Sequence, residues 1–166
     1  MLADGSDHLQ SLLEKHRGLL VGQRVFDKHG AEFPLLIKFL DADEDLSVQV
    51  HPNDEQARER HQCLGKTEMW YILHAEPNAE LVVGFETDTE PAAYAAAVAS
   101  GQVMELLHRE KVTAGDVLYI PAGRIHTIGK GIVLAEIQQS SDITYRIYDF
   151  DRTDGAGNKR ELHTEQ

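Results

Sequence analysis

At 166 residues the chain has the length of one domain, enough to bury a core without disulfides or a structural metal. Its 42% hydrophobic content is ordinary for a globular protein, and no run approaches the roughly 18 apolar residues of a membrane span. Twenty-eight acidic against sixteen basic residues give a net charge of −12, the wrong sign for a nucleic-acid surface or an anionic membrane, so an anionic ligand has to be held by a few local cations.

The opening MLADGSDHLQ lacks the basic, apolar and small-residue sections of a signal peptide, which predicts a cytoplasmic protein. From Ser6 to Gly22 an N-cap serine, leucines at 9, 12, 13, 19 and 20 and a closing glycine predict one amphipathic helix within an N-terminal segment of residues 1–30. Phe33 to Leu40 (FPLLIKFL) is a near-continuous apolar run, as expected of a strand covered on both faces. The acidic turn DADED then leads into Leu46 to Pro52 (LSVQVHP). Residues two apart on a strand share a face, so Ser47, Gln49 and His51 look the same way. The polar NDEQARERHQ predicts a short helix or an exposed loop. TEMWYIL (Thr67 to Leu73) and ELVVGF (Glu80 to Phe85), joined by AEPNA, predict a hairpin.

Residues 91–108 (PAAYAAAVASGQVMELLH) read as a helical insertion, with Pro91 in a first turn and Gly101 dividing two helices. From Lys111 onward, short strands punctuated by glycine predict a sandwich or barrel, so the main domain spans 31–152. The polar stretch 153–166 either frays or leads into further structure. The single cysteine, Cys63, excludes an internal disulfide and reads as a small semi-buried side chain.

The stretch Gly115 to His126 (GDVLYIPAGRIH) resembles the second sequence motif of the cupin superfamily, whose fold is a jelly-roll β-barrel. Glycine starts a strand after a tight turn, and Pro121 and Gly123 bend the chain so that His126 points into the barrel mouth. Taken in order, LSVQVHP, GKTEMWYIL, IPAGRIHTIGKG and EIQQSSDITYRIYDFDR resemble the type I, zinc-dependent mannose-6-phosphate isomerase family. The resemblance implies one zinc ion held by Gln49, His51, Glu68 and His126, and a sugar-phosphate pocket lined by Ser47, Lys66 and Arg146. Two imidazoles, a carboxylate and an amide oxygen form a mixed N/O set suited to zinc. The neutral amide leaves the ion a strong Lewis acid.

The activity implied is interconversion of mannose 6-phosphate and fructose 6-phosphate through an enediol, with Arg146 or Lys66 holding the phosphate or supporting the enediolate. Glu136, which shares a strand face with Gln138, is the candidate base. Full-length members of that family extend upstream of FPLLIKFLDA, and downstream of DFDR with a second cupin-like half, so an inactive fragment is a competing expectation. A non-catalytic metal-binding cupin that holds a sugar phosphate is the alternative from another class. An iron-dependent dioxygenase is disfavoured by the amide at Gln49.

Overall fold

The structure, a computed structural model, describes residues 8–153 and 155–164. The expected N-cap, Ser6, lies outside them. The chain divides into two compact units, Met1–Leu35 and Leu36–Gln166.

The first unit holds α1 (Leu9–His16), α2 (Gly18–Val21) and α3 (Gln23–His29). The single helix expected over 6–22 is therefore broken. Arg17 adopts φ 50, a left-handed value that an α-helix cannot continue through. Of the five leucines in the expected stripe only Leu13 is fully buried, and Leu19 is almost wholly exposed.

β1 (Leu35–Ala42) starts at the last residue of the first unit and runs on in the second, where it and β2 (Val48–Val50) precede α4 (Asp54–His61). The polar NDEQARERHQ stretch is thus a helix, started by a capping box in which the Asn53 side chain accepts from the Gln56 amide and Gln56 reaches back to Asn53. Next come β3 (Glu68–Ala75), β4 (Glu80–Phe85) and α5 (Pro91–Ser100), which ends at Gly101 in the left-handed conformation. A 3-10 turn over Val103–Leu106 leads into β5 (Leu107–Lys111). The remaining strands are β6 (Val117–Ile120), β7 (His126–Ile128), β8 (Ile132–Gln139) and β9 (Tyr145–Tyr148).

These strands form two antiparallel sheets that do not close on each other, in the orders β1-β8-β3-β6 and β5-β4-β7-β2-β9. The expected mainly β arrangement is there, with the helical insertion between β4 and β5, but the expected barrel is two open sheets. The expected hairpin is corrected: β3 and β4 lie in different sheets, β3 pairing with β6 and β8, and β4 with β5 and β7. AEPNA carries the chain from one sheet to the other. The reading of FPLLIKFL is corrected as well. β1 is an edge strand whose exposure alternates along its length, Ile37 and Phe39 facing out and Lys38 half-buried between them.

Between the sheets, Trp70, Ile72, Ile120, Ile132 and Leu134 of the four-stranded sheet pack with Leu81 and Ile128 of the five-stranded one. A second cluster joins Val48, Val82 and Ile147 to Val103, Tyr94 and Val98 of the insertion. The inner face changes character along the strands. On β8 it runs from Ile132 and Leu134 to Glu136 and Gln138, all four buried, and on β3 from Ile72 through Trp70 to Glu68. One end of the fold is therefore a hydrocarbon core and the other a buried polar site.

The polar tail does not fray over its described part. The His163 amide donates to the Arg146 carbonyl at 2.7 Å, and Arg152 and Arg160 converge on Asp149. A close approach at Gly129 links the two ends of β7 and β4: a Cβ there would lie 2.1 Å from the Glu80 carbonyl oxygen. Gly129→Ala is expected to lower unfolding free energy by about 3 kcal/mol, as read from a denaturant midpoint with unchanged slope.

Candidate metal centre

Local chain chemistry brings the site together from both sheets. In β2, Gln49 stands opposite His126 of β7 on one side and Arg146 of β9 on the other. Directly opposed residues share a face, so Gln49, His126 and Arg146 form one row. His51 follows β2 immediately, and its carbonyl accepts from the Gly123 amide at 2.8 Å, tying the HP turn to the PAG turn. Gly123 has φ 84, a value open to glycine without strain, and the bend delivers His126 at the start of β7. Glu68 opens β3 in the facing sheet, opposite Gln138 of β8.

One ligand atom from each of His51, Glu68 and His126 lies within 4.8 Å of the others, and all three side chains are buried. His51 Nε2 is 3.3 Å from Glu68 Oε1, and His126 Nε2 is 3.8 Å from Glu68 Oε2. Bonds of about 2.0–2.1 Å to a tetrahedral ion set its ligands roughly 3.3 Å apart; His51 and Glu68 stand at that spacing, and the set as a whole, within 4.8 Å, is wider.

The hydrogen bonding fits a bound cation. His51 Nδ1 faces the Ile143 carbonyl at 3.0 Å and His126 Nδ1 the Arg124 carbonyl at 2.8 Å. A carbonyl only accepts, so each Nδ1 carries the proton and donates it, leaving the Nε2 lone pairs aimed into the site. His51 Nε2, His126 Nε2 and Glu68 Oε1 are buried without hydrogen-bond partners, an expensive arrangement that a cation satisfies. The donor set of two imidazoles and a carboxylate suits a divalent metal ion.

Electrostatics hold the ligands in their binding forms. Burial raises the Glu68 carboxyl, but His51, His126 and Lys66 outweigh it and bring it from 4.5 down to about 2. Burial, with repulsion from His51, lowers His126 from 6.5 to about 4. In the metal-free chain both shifts make the folded state less stable in acid. The unfolded chain binds a proton at residue 126 below about pH 6.5 that the folded chain refuses until about pH 4, and the Glu68 contribution is lost from about pH 4.5 down to about 2. Stability is expected to fall steadily on acidification from pH 6.5, and denaturant midpoints at pH 7, 5.5 and 4.5 check it.

The other expected site residues fall around this centre. Lys66 is buried with Nζ 3.4 Å from Glu68 Oε1, off the hydrogen-bonding axis. Arg146 donates from Nη1 to the Glu161 carbonyl at 3.0 Å, and its Nε is buried without a partner. Ser47 is buried at the start of the Gln49 strand. Glu136 is buried opposite Trp70, and its Oε1 accepts from Lys38 Nζ at 2.9 Å. Trp70 is a site residue as well as a core one, because its indole N–H donates to Glu68 Oε2 at 3.1 Å. Trp70→Phe is expected to weaken metal binding by about tenfold or more while the chain stays folded, measured by competition with a metal indicator.

Lys38 is the residue that the sequence reading missed. It bridges Glu136 and Gln138 on the inner face, donating to Gln138 Oε1 at 2.5 Å. The available signal was a lone cation at an inward position of a strand otherwise apolar.

Residues 3–77 match the family model described as phosphomannose isomerase type I, catalytic domain. Over 156 residues, 93% of this chain, the sequence is 50% identical to the mannose-6-phosphate isomerase ManA of Bacillus subtilis. The chain is similar to type I phosphomannose isomerases over most of its length. It is also 46% identical over 158 residues to the mannose-6-phosphate isomerase of Streptococcus mutans. The crystal structure of the Bacillus subtilis mannose 6-phosphate isomerase superposes on 93% of the chain with a TM-score of 0.82 and 44% identity. The chain spans 48% of the length of each of these relatives. The phosphomannose isomerase match takes in Lys38, Ser47, Gln49, His51, Lys66 and Glu68, while His126 and Arg146 lie beyond it. No helix among the described residues is long and apolar enough to cross a membrane.

Proposed function

We propose that this chain interconverts mannose 6-phosphate and fructose 6-phosphate, with zinc held by Gln49, His51, Glu68 and His126. The observation that carries the reading is the convergence of three buried, unpartnered ligand atoms beside a buried lysine, in a chain half identical to mannose-6-phosphate isomerases. Gln49 is the fourth ligand because it stands directly opposite His126 on the same face. When bound, zinc supplies Lewis-acid polarisation of the sugar oxygens at C1 and C2.

The remaining work belongs to the side chains. Arg146, with a free Nε–H beside Gln49, binds an anionic oxygen of the sugar phosphate, and Ser47 lines the same pocket. Lys66 donates to the oxygen that gains charge as the enediolate forms, an interaction stronger in the transition state than in the ground state. Glu136 moves the carbon-bound proton between C1 and C2, and Lys38 fixes its carboxylate. Wild-type turnover by Glu136→Gln with intact metal would remove it from that role. A phosphorylated sugar stays on the side of the membrane where it is made, which places the chain in the cytoplasm. The acidic balance argues against a nucleic-acid partner.

The test is turnover of mannose 6-phosphate in a coupled assay, before and after chelation and after zinc is restored. Turnover lost with the chelator and regained with zinc is the expected result, and turnover indifferent to chelation contradicts the reading. Metal binding without turnover would instead favour a sugar-phosphate-binding cupin.

A further inference from the structure

The stretch that follows β9 returns to it. β9 closes the order of the five-stranded sheet with β2 on one side, so the main-chain groups of Arg146 on its other side need partners from elsewhere. His163 takes both of them. Its amide donates to the Arg146 carbonyl at 2.7 Å, and its Nδ1 accepts from the Arg146 amide at 3.1 Å. The guanidinium is held by the same stretch, Nη1 donating to the Glu161 carbonyl at 3.0 Å. Residues 161 and 163 thus grip one arginine by its main chain and by its side chain.

The stretch is itself pinned. Arg160 Nε donates to the Asp149 carboxylate at 2.7 Å, Lys159 Nζ donates to Asp151 at 2.6 Å, and Thr153 and Lys159 form a β-bridge. The His163 ring lies beside that of Tyr145, centroids 6.2 Å apart, and the Tyr145 hydroxyl meets His61 of α4 at 2.8 Å. Lys159 and Arg160 are exposed, and ion pairs of exposed cations add little stability. What these contacts chiefly fix is position.

The Nε side of the guanidinium is left for a ligand. Arg146 Nε is buried without a partner, in the row that Arg146 shares with Gln49 and His126. A planar fork held through Nη1 and its main chain presents its remaining N–H groups in one direction, and it loses less freedom when it takes a phosphate than a loose one does. The His163 ring has the opposite tautomer to the two imidazoles of the metal centre. Its Nδ1 faces an N–H, which only donates, so this nitrogen carries no proton, whereas Nδ1 of His51 and of His126 each donates to a carbonyl. Resting on the reading of Arg146 as the anion-binding group, we propose that residues 159–163 are a strap that positions Arg146 for the phosphate of the substrate, with His163 as the positioning residue.

Calorimetric titration of the zinc-loaded chain with mannose 6-phosphate tests this, with zinc affinity measured alongside by competition with a metal indicator. His163→Ala is expected to weaken mannose 6-phosphate binding by about tenfold and to leave zinc affinity unchanged. His163→Asn, whose amide oxygen can accept where Nδ1 did, is expected to recover most of that loss. In an Arg146→Ala background His163→Ala is expected to add nothing, because a residue that acts only through Arg146 has nothing left to position. Wild-type affinity in His163→Ala, while Arg146→Ala is weakened, overturns the strap and leaves the reading of Arg146 standing. A loss that zinc shares, that His163→Asn does not recover or that adds to Arg146→Ala also overturns it, as the mark of a general effect on the fold. Wild-type affinity in Arg146→Ala, or no mannose 6-phosphate binding by the wild-type chain, overturns the reading of Arg146 and the strap with it.

Discussion

On the function proposed above, alanine at position 126 is expected to abolish metal binding and to lower turnover of mannose 6-phosphate by about 10³-fold or more. The magnitude follows from the several kcal/mol that a metal ion contributes to charge stabilisation, at 1.36 kcal/mol per decade of rate. The geometry explains why one imidazole matters so much. His126 Nε2 lies 3.8 Å from Glu68 Oε2 across a site with no other described histidine or carboxylate to take its place. Metal content after dialysis and turnover should fall together in His126→Ala. They should stay at wild-type levels in His74→Ala, an exposed strand histidine. Retained metal with lost turnover would make His126 a catalytic group instead of a ligand.

The second large effect is expected at Lys66. Methionine there fills a similar buried volume and removes the charge, so kcat should fall about 10²- to 10³-fold, the usual cost of losing one pre-organised donor to a developing oxyanion. Metal content should change little, because Lys66 is the smallest of the influences that lower the Glu68 carboxyl. The two variants therefore separate: loss of His126 empties the site, whereas loss of Lys66 leaves it filled and slow. Turnover unchanged in Lys66→Met would reduce the lysine to a counter-charge for Glu68.

The polar end of the fold was legible in the sequence because its residues sit in tight local contexts. The alternation in LSVQVHP and the proline and glycine bend in IPAGRIH each state where a histidine points, and the structure brings both to Glu68. What the sequence did not disclose is which strands are neighbours. TEMWYIL and ELVVGF look like hairpin partners because a hairpin and a crossover between sheets share the same alternation and the same turn residues. FPLLIKFL misled for a related reason. A continuous apolar run is the mark of a strand covered twice, and β1 has that composition with one side uncovered. Tyr71 and Tyr119 belong to that same open side. Lys38 went unnoticed because its partners, Glu136 and Gln138, are about a hundred residues away.

The Nδ1–H groups of the two imidazoles are held by peptide oxygens, from Ile143 and Arg124. The side chains at 124 and 143 are therefore not what holds the two Nδ1–H groups. The weak point is the course of the main chain. One residue inserted or deleted between Ser140 and Ile143 would move an oxygen by a full peptide unit and let the His51 ring swing, while leaving every ligand in the sequence.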